Sequence, residues 1–166
     1  MATQDSHPTG TDMVSARAAQ PADITTTAAL AAQARASVRP ERGGRWLLDH
    51  DALADPEPQA KHAAAVSASD EYLVVGCIDD TPVGYARAYL SPARSGRLCM
   101  IDELVVHPDA QAIGVGSAIL DAVRLWAVHN QCQAIESQVL PGNRAAKNFF
   151  ERVGMKTRKM RVSADL

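Results

Sequence analysis

An apolar strand over residues 98 to 106 (LCMIDELVV) closes on His107-Pro108 and runs, a few residues on, into a glycine-bearing turn, Gln111-Ala-Ile-Gly-Val-Gly-Ser117, that opens a helix. Ile119, Leu120, Val123, Trp126 and Ala127 of that helix recur on one face, so the stripe must lie on an apolar layer. Residues 134 to 140 read as a further strand after the helix. Strand, helix and strand in that order form a crossover unit, which places the chain among the mixed α/β folds. The turn also limits the chemistry. A helix start presents unpaired N–H groups and the positive end of its dipole, and glycine lets a bulky anion approach the backbone, so a phosphate site is the natural reading. Two phosphate-binding classes are excluded: no P-loop lysine follows these glycines, and Ile119 stands where a dinucleotide fingerprint needs its third glycine.

Upstream, Tyr72–Ile78 and Val83–Leu90 flank Asp79-Asp80-Thr81-Pro82 and read as an antiparallel hairpin. Met13–Ala19 reads as a short strand. Gln20 to Asp23 offers a cap for an Ala-rich helix, with Leu30 and Val38, that must end before Pro40. From Arg42 to Pro58 the glycines and prolines predict two irregular helices. Downstream, Pro141-Gly142 turns the chain, Asn143 caps a helix through Arg152, and Gly154 stands where a C-terminal cap belongs. Residues 156 to 162 read as a last strand. The polar, aperiodic residues 1 to 12 are expected to be a disordered leader, which leaves one domain over residues 13 to 166.

A chain of 166 residues that is 46% hydrophobic has the surface-to-volume ratio to hold a core without disulfide or metal. Cys77, Cys99 and Cys132 are odd in number and scattered, with no zinc-ligand spacing. No apolar run approaches 18 residues and the N-terminus lacks a secretory pattern, so a reduced, cytoplasmic protein is expected. A net charge of −2 gives no reason to expect nucleic acid or membrane as a partner. The distribution is uneven: residues 142 to 166 hold seven of the 17 Lys/Arg but two of the 19 Asp/Glu. That basic end either faces an anion or forms a solvated helix face with a charged edge strand.

Two stretches resemble the signatures of the GNAT superfamily of N-acetyltransferases. Leu104-Val-Val-His-Pro108 with Gln111-Ala-Ile-Gly-Val-Gly116 matches its central motif, and Asn143-Arg-Ala-Ala-Lys-Asn-Phe-Phe-Glu-Arg-Val-Gly-Met155 a second one. The resemblance covers residues 13 to 162 and implies a GNAT-like acyltransferase fold: a mixed α/β sheet, mainly antiparallel in its N-terminal strands, with a parallel pair at the cofactor cleft. It implies acetyl-CoA as cosubstrate. Backbone groups of Gln111, Ala112, Ile113, Gly114, Val115, Gly116 and Ser117 would take the pyrophosphate, and those of Leu104, Val105 and Val106 the pantetheine arm. Asn143 would reach the pantetheine region, and Lys147 the nucleotide phosphates. Asn143 also reads as a plain helix cap.

In this family a neutral amine attacks the thioester directly, so the protein must take a proton from an ammonium. The tyrosine that commonly protonates the leaving thiolate is replaced by Phe150, which cannot donate. Either water does so, or another group such as Tyr85 or Tyr89, or the domain binds acetyl-CoA as a sensor or scaffold with little turnover. The candidate bases are Asp102, Glu136 and Glu103. Strand alternation puts Asp102 on the face of Leu104 and Val106, and Glu103 on the other face. Glu136 shares a face with Gln138 on the next strand. His107, His129 and Cys99 read as structural. No signature marks the acceptor. Because few residues follow Gly154, either the sheet is shorter than is common in the family or a second copy of the chain completes it.

Overall fold

A computed structural model describes residues 13–50 and 57–164; the leader expected over residues 1 to 12 lies outside them. Five strands form one sheet in sequential order. Strands β1 (Val14–Ala18), β2 (Glu71–Ile78), β3 (Thr81–Ala93) and β4 (Gly96–Val106) pair antiparallel, and β5 (Ala134–Ser137) lies parallel to β4. The mixed sheet with its parallel pair is the expected one.

Between β1 and β2 run α1 (Ile24–Val38), α2 (Gly44–His50) and α3 (Pro58–Ser67). Pro58 opens α3 rather than breaking it, since a first-turn proline has no helical N–H to lose. The entry to α1 is fixed by Asp23, which accepts two bonds from Arg17 of β1, at 2.7 and 3.0 Å, and one from the Gln20 N–H at 2.7 Å.

Helix α4 (Val115–His129) connects β4 to β5, and α5 (Arg144–Arg152) follows. The sheet is covered on both faces. On one, Val115, Ile119, Leu120, Val123 and Ala127 of α4 pack on Val74, Ala86, Ala88, Cys99 and Ile101. On the other, Leu30 and Ala31 of α1 and Ala65 of α3 meet Leu73, Val75, Cys77 and Tyr85.

Two boundaries differ from expectation. β5 stops at Ser137 instead of Leu140, and residues 156 to 162 form no strand. Gly154, at φ +88°, ends α5, and the chain beyond it is exposed, Met160 at 88% and Val162 at 92%. Four of the residues from 156 to 162 are cationic, so the segment has no apolar face to bury against so short an edge as β5.

The seating of α4 depends on Gly76. A Cβ there would lie 2.7 Å from atoms of Ile119 and Val115. Gly76→Ala is therefore expected to cost about 1–3 kcal/mol by overpacking, read as a lower urea midpoint at unchanged slope; an unchanged midpoint would show that α4 can shift freely.

Candidate active site

The register of β3 against β4 slips by one residue. Arg87 faces Glu103 while the next residue, Ala88, faces Ile101, so Asp102 is the extra residue of a β-bulge. The bulge corrects the simple alternation expected for this strand. Ile101, Leu104 and Val106 all lie in the core beneath α4, whereas Asp102 and Glu103 both turn to the opposite face, where Lys61 of α3 reaches them at 3.2 and 2.6 Å. A bulge presents two successive residues where regular pleating would present one.

Around these carboxylates lies a largely buried polar network that links five elements. Glu103 Oε2 accepts from Tyr85 Oη at 2.8 Å and lies 2.9 Å from His62 Nε2; His62 Nδ1 lies 2.9 Å from Thr27 Oγ1 of α1. His62, Tyr85 and Thr27 have no exposure. Arg87 binds Asp102 and donates from Nε to Glu71 at 3.0 Å.

The two adjacent acids are tuned in opposite directions. Burial would raise Glu103, but the bonds from His62 and Lys61, the Lys61 charge and the Tyr85 hydroxyl outweigh it and hold its carboxyl at about 2. Burial pushes Asp102 up from the usual range despite the opposing charges of Lys61 and Arg87. The bonds from Lys61 and Arg87 both fall on Asp102 Oδ2, and its Oδ1 is buried without a hydrogen-bond partner among the described residues. Burial and Glu103 push the Tyr85 phenol above its usual range, so the hydroxyl keeps its proton and donates it in the hydrogen bond to Glu103.

Just beyond Asp102 the sheet opens. β4 pairs with β5 only over Leu98–Ile101. His107 N donates to Val83 O at 2.8 Å, and since partners alternate along an antiparallel ladder, the backbone groups of Val106 and Leu104 point away from β3 into this opening. Gln111 Nε2 caps Val106 O at 3.2 Å.

The turn that follows reverses twice, with Ala112 at φ +65° and Gly114 at φ +105°. Gly114 forms the N-cap of α4, and a Cβ there would meet nothing within 4 Å, so the α4 N-terminus has open space in front of it. Gly116 serves packing instead: a Cβ would stand 3.2 Å from the Phe149 ring. Asn143 is the expected cap, accepting from Ala146 N at 2.9 Å. Lys147 lies 3.8 Å from Glu151 on the exposed side of α5, and Phe150 is buried, edge-on to Phe149.

The remaining candidates stand apart. Glu136, opposite Met100 on β5, is 37% exposed and 3.8 Å from Lys159. His107 accepts from Asp109 N and caps a 3-10 turn, and His129 ends α4. Burial pushes the Cys99 thiol up to about 12. Tyr89 lies under the Arg87 guanidinium. Sequence reasoning missed Thr27, Lys61, His62 and Arg87. The pair Lys61-His62, set in an Ala-rich helix, was the available signal.

The end of β4 beyond its last β5 pair, the Asp102 carboxylate and the open N-terminus of α4 thus belong to one stretch of chain, residues 102 to 117. The family model for acetyltransferases (GNAT) matches residues 35–155, and the chain belongs to that family. Acetyl-CoA is the cosubstrate. Among solved structures, a mutant of the BH1408 protein from Bacillus halodurans is 22% identical, with TM-score 0.73, covering 91% of this chain and 99% of its own. The aminoglycoside N-acetyltransferase AAC(6')-Iy, solved with CoA, is 15% identical with TM-score 0.70, over 96% and 98%. An acetyltransferase of Trypanosoma brucei is 18% identical with TM-score 0.66, over 93% and 100%. No curated sequence matches the chain.

The opposite tuning of the two acids has a thermodynamic consequence. A carboxyl depressed on folding adds stability above its unfolded value, near 4.5, and loses it as pH falls toward about 2. Glu103→Gln should therefore lower stability at pH 7 by about 3 kcal/mol and flatten the acid limb, while Asp102→Asn, which removes a charge disfavoured by burial, should not destabilise the protein. Urea melts from pH 2 to 8 check both; a larger loss in Asp102→Asn would reverse the assignment.

Proposed function

We propose that the protein moves the acetyl group of acetyl-CoA to a primary amine by direct attack in a ternary complex, with Asp102 as the general base. The observation that carries this reading is the buried, unpartnered Oδ1 of Asp102, one residue past the last β4–β5 pair. Buried polar atoms almost always have a partner, so a water or the acceptor itself belongs there. A carboxylate with a raised pKa and one uncommitted oxygen can take a proton from an incoming ammonium through such a water. Glu103 is a poor alternative because both its oxygens are engaged and its basicity is low. Glu136 is solvated and lies beside a lysine.

Acetyl-CoA supplies the activated acetyl group. The N–H groups from Ala112 to Ser117, with open space before Gly114, suit its pyrophosphate, while Gln111 N already closes the turn onto Pro108 O. The outward-facing backbone of Leu104 and the N–H of Val106, flanking Val105, suit the pantetheine arm and can polarise the thioester carbonyl, while Val106 O is held by Gln111. Asn143, which keeps its cap on α5, would reach the pantetheine region, and Lys147 adds positive charge on that helix. Phe150 leaves protonation of the departing thiolate to solvent, which also favours the second reading of an acetyl-CoA sensor with little turnover. A second copy beside β5 and the exposed C-terminal segment would make a homodimer. The three free cysteines suit a reducing, cytoplasmic setting.

Incubation with acetyl-CoA and a panel of amines, with release of free CoA thiol as the readout, decides between enzyme and sensor. Thiol release above the hydrolysis blank is expected for at least one amine, and binding without release would establish the sensor. With the best amine, Asp102→Asn should cut turnover at least about a hundredfold at neutral pH, with less loss at high pH, where the amine is its own free base. Near-normal turnover in this variant, with loss in Glu136→Gln, would move the base to β5. Gly114→Val, which projects a branched side chain into the open space, should weaken acetyl-CoA binding more than tenfold, or about 1.4 kcal/mol; unchanged affinity by calorimetry in a folded variant would remove the pyrophosphate assignment.

A further inference from the structure

We propose that Lys61 is a positioning residue for acetyl transfer: its ammonium, drawn closer to Glu103 than to Asp102, holds one Asp102 oxygen in place and leaves the other open to the acceptor's proton. The inference rests on the reading of Asp102 as base. It arises from an asymmetry in distance, 2.6 Å to Glu103 against 3.2 Å to Asp102. Glu103 is itself immobilised by Tyr85 and His62, and His62 is braced on Thr27 of α1. The ammonium is thereby anchored on the fixed acid and lends the remainder of its field to the neighbouring one.

Both results follow from ordinary electrostatics. A full ion pair with Asp102 would make that carboxylate too weak a base, and no cation at all would leave a buried carboxyl protonated. Several groups among the described residues face Asp102 directly or through a neighbour. From α3 they are Lys61 and, behind Glu103, His62. β3 supplies Arg87 and Tyr85, and β2 supplies Glu71 through Arg87. β4 contributes Glu103, β5 carries Glu136 opposite Met100, and α1 adds the uncharged Thr27. Arg87 is shared with Glu71 at 2.7 Å, as Lys61 is shared with Glu103. Each cation on Asp102 is thus divided with a second acid.

The test is the titration midpoint of the Asp102 carboxyl, followed by carbon NMR in the full-length chain and assigned with Asp102→Asn, beside the acid limb of kcat/KM with the best amine of the panel. Lys61→Met should raise the midpoint by at least about one pH unit, the effect of removing a near opposite charge. Glu103→Gln should lower it, because a like charge is lost and the ammonium is released toward Asp102. Lys61→Arg should stay near wild type. Midpoints that move in opposite directions establish the role; no movement, or movement in the same direction in both variants, overturns it, and a merely structural lysine would change only stability. Should Lys61→Met fail to fold, the downward shift in Glu103→Gln and the retained midpoint in Lys61→Arg decide. Midpoints that move as expected while the acid limb stays fixed would keep Lys61 in control of Asp102 and overturn instead the assignment of Asp102 as base.

Discussion

Glu103 is the joint on which this structure turns. Through one carboxylate the sheet is tied to α3 by Lys61 and His62, to α1 by way of His62 and Thr27, and to its own neighbouring strand by Tyr85. A buried charge tolerates this setting only when each lone pair is used, and here each oxygen has a strong donor within reach. The apolar contacts of Leu30, Ala31 and Ala65 with the sheet set how closely the helical layer lies. The carboxylate sets where along the strand it stops, since a one-step slide would strand a charge in the core.

The opening between β4 and β5 comes from the opposite circumstance, an absence of partners. β5 contributes four residues and then leaves the ladder, so the end of β4 has backbone groups on one edge that nothing in the sheet can satisfy. Such groups need a partner from outside the sheet, a side chain as Gln111 is at Val106 O, water, or a ligand with amide-like chemistry. The α4 N-terminus, a few residues farther along the same chain, asks for an anion. On the reading proposed above, a long donor with amides at one end and phosphates at the other meets both.

Much of this was legible in the sequence because it is local. The glycine turn, the amphipathic α4, the Asn143 cap and the Gly154 stop each depend on residues close together in the chain, and each stands where the pattern puts it. What failed depended on distant partners. Period-two alternation assigned Asp102 to the face of Leu104, and the register of β3 against β4, which no single-strand pattern encodes, reversed it. The role of Lys61 and His62 was hidden because their helix is weakly amphipathic and Ala-rich, so its polar residues looked like solvent-facing ones. The strand expected after Gly154 had β-compatible spacing but lacked a neighbouring edge long enough to pair with.

The bulge in β4 separates two demands that most strands must meet with the same residues. Without Asp102, Ile101 and Leu104 would still face α4, Glu103 would still face α3, and the pairs Ala88 with Ile101 and Arg87 with Glu103 would follow one another in an unbroken ladder. The residue is surplus to the architecture, an insertion that the sheet accommodates by a local kink. The proposed base is thus carried on a residue that the pleat itself does not need, so this position can change from acid to amide while the strand pairing on either side of it persists.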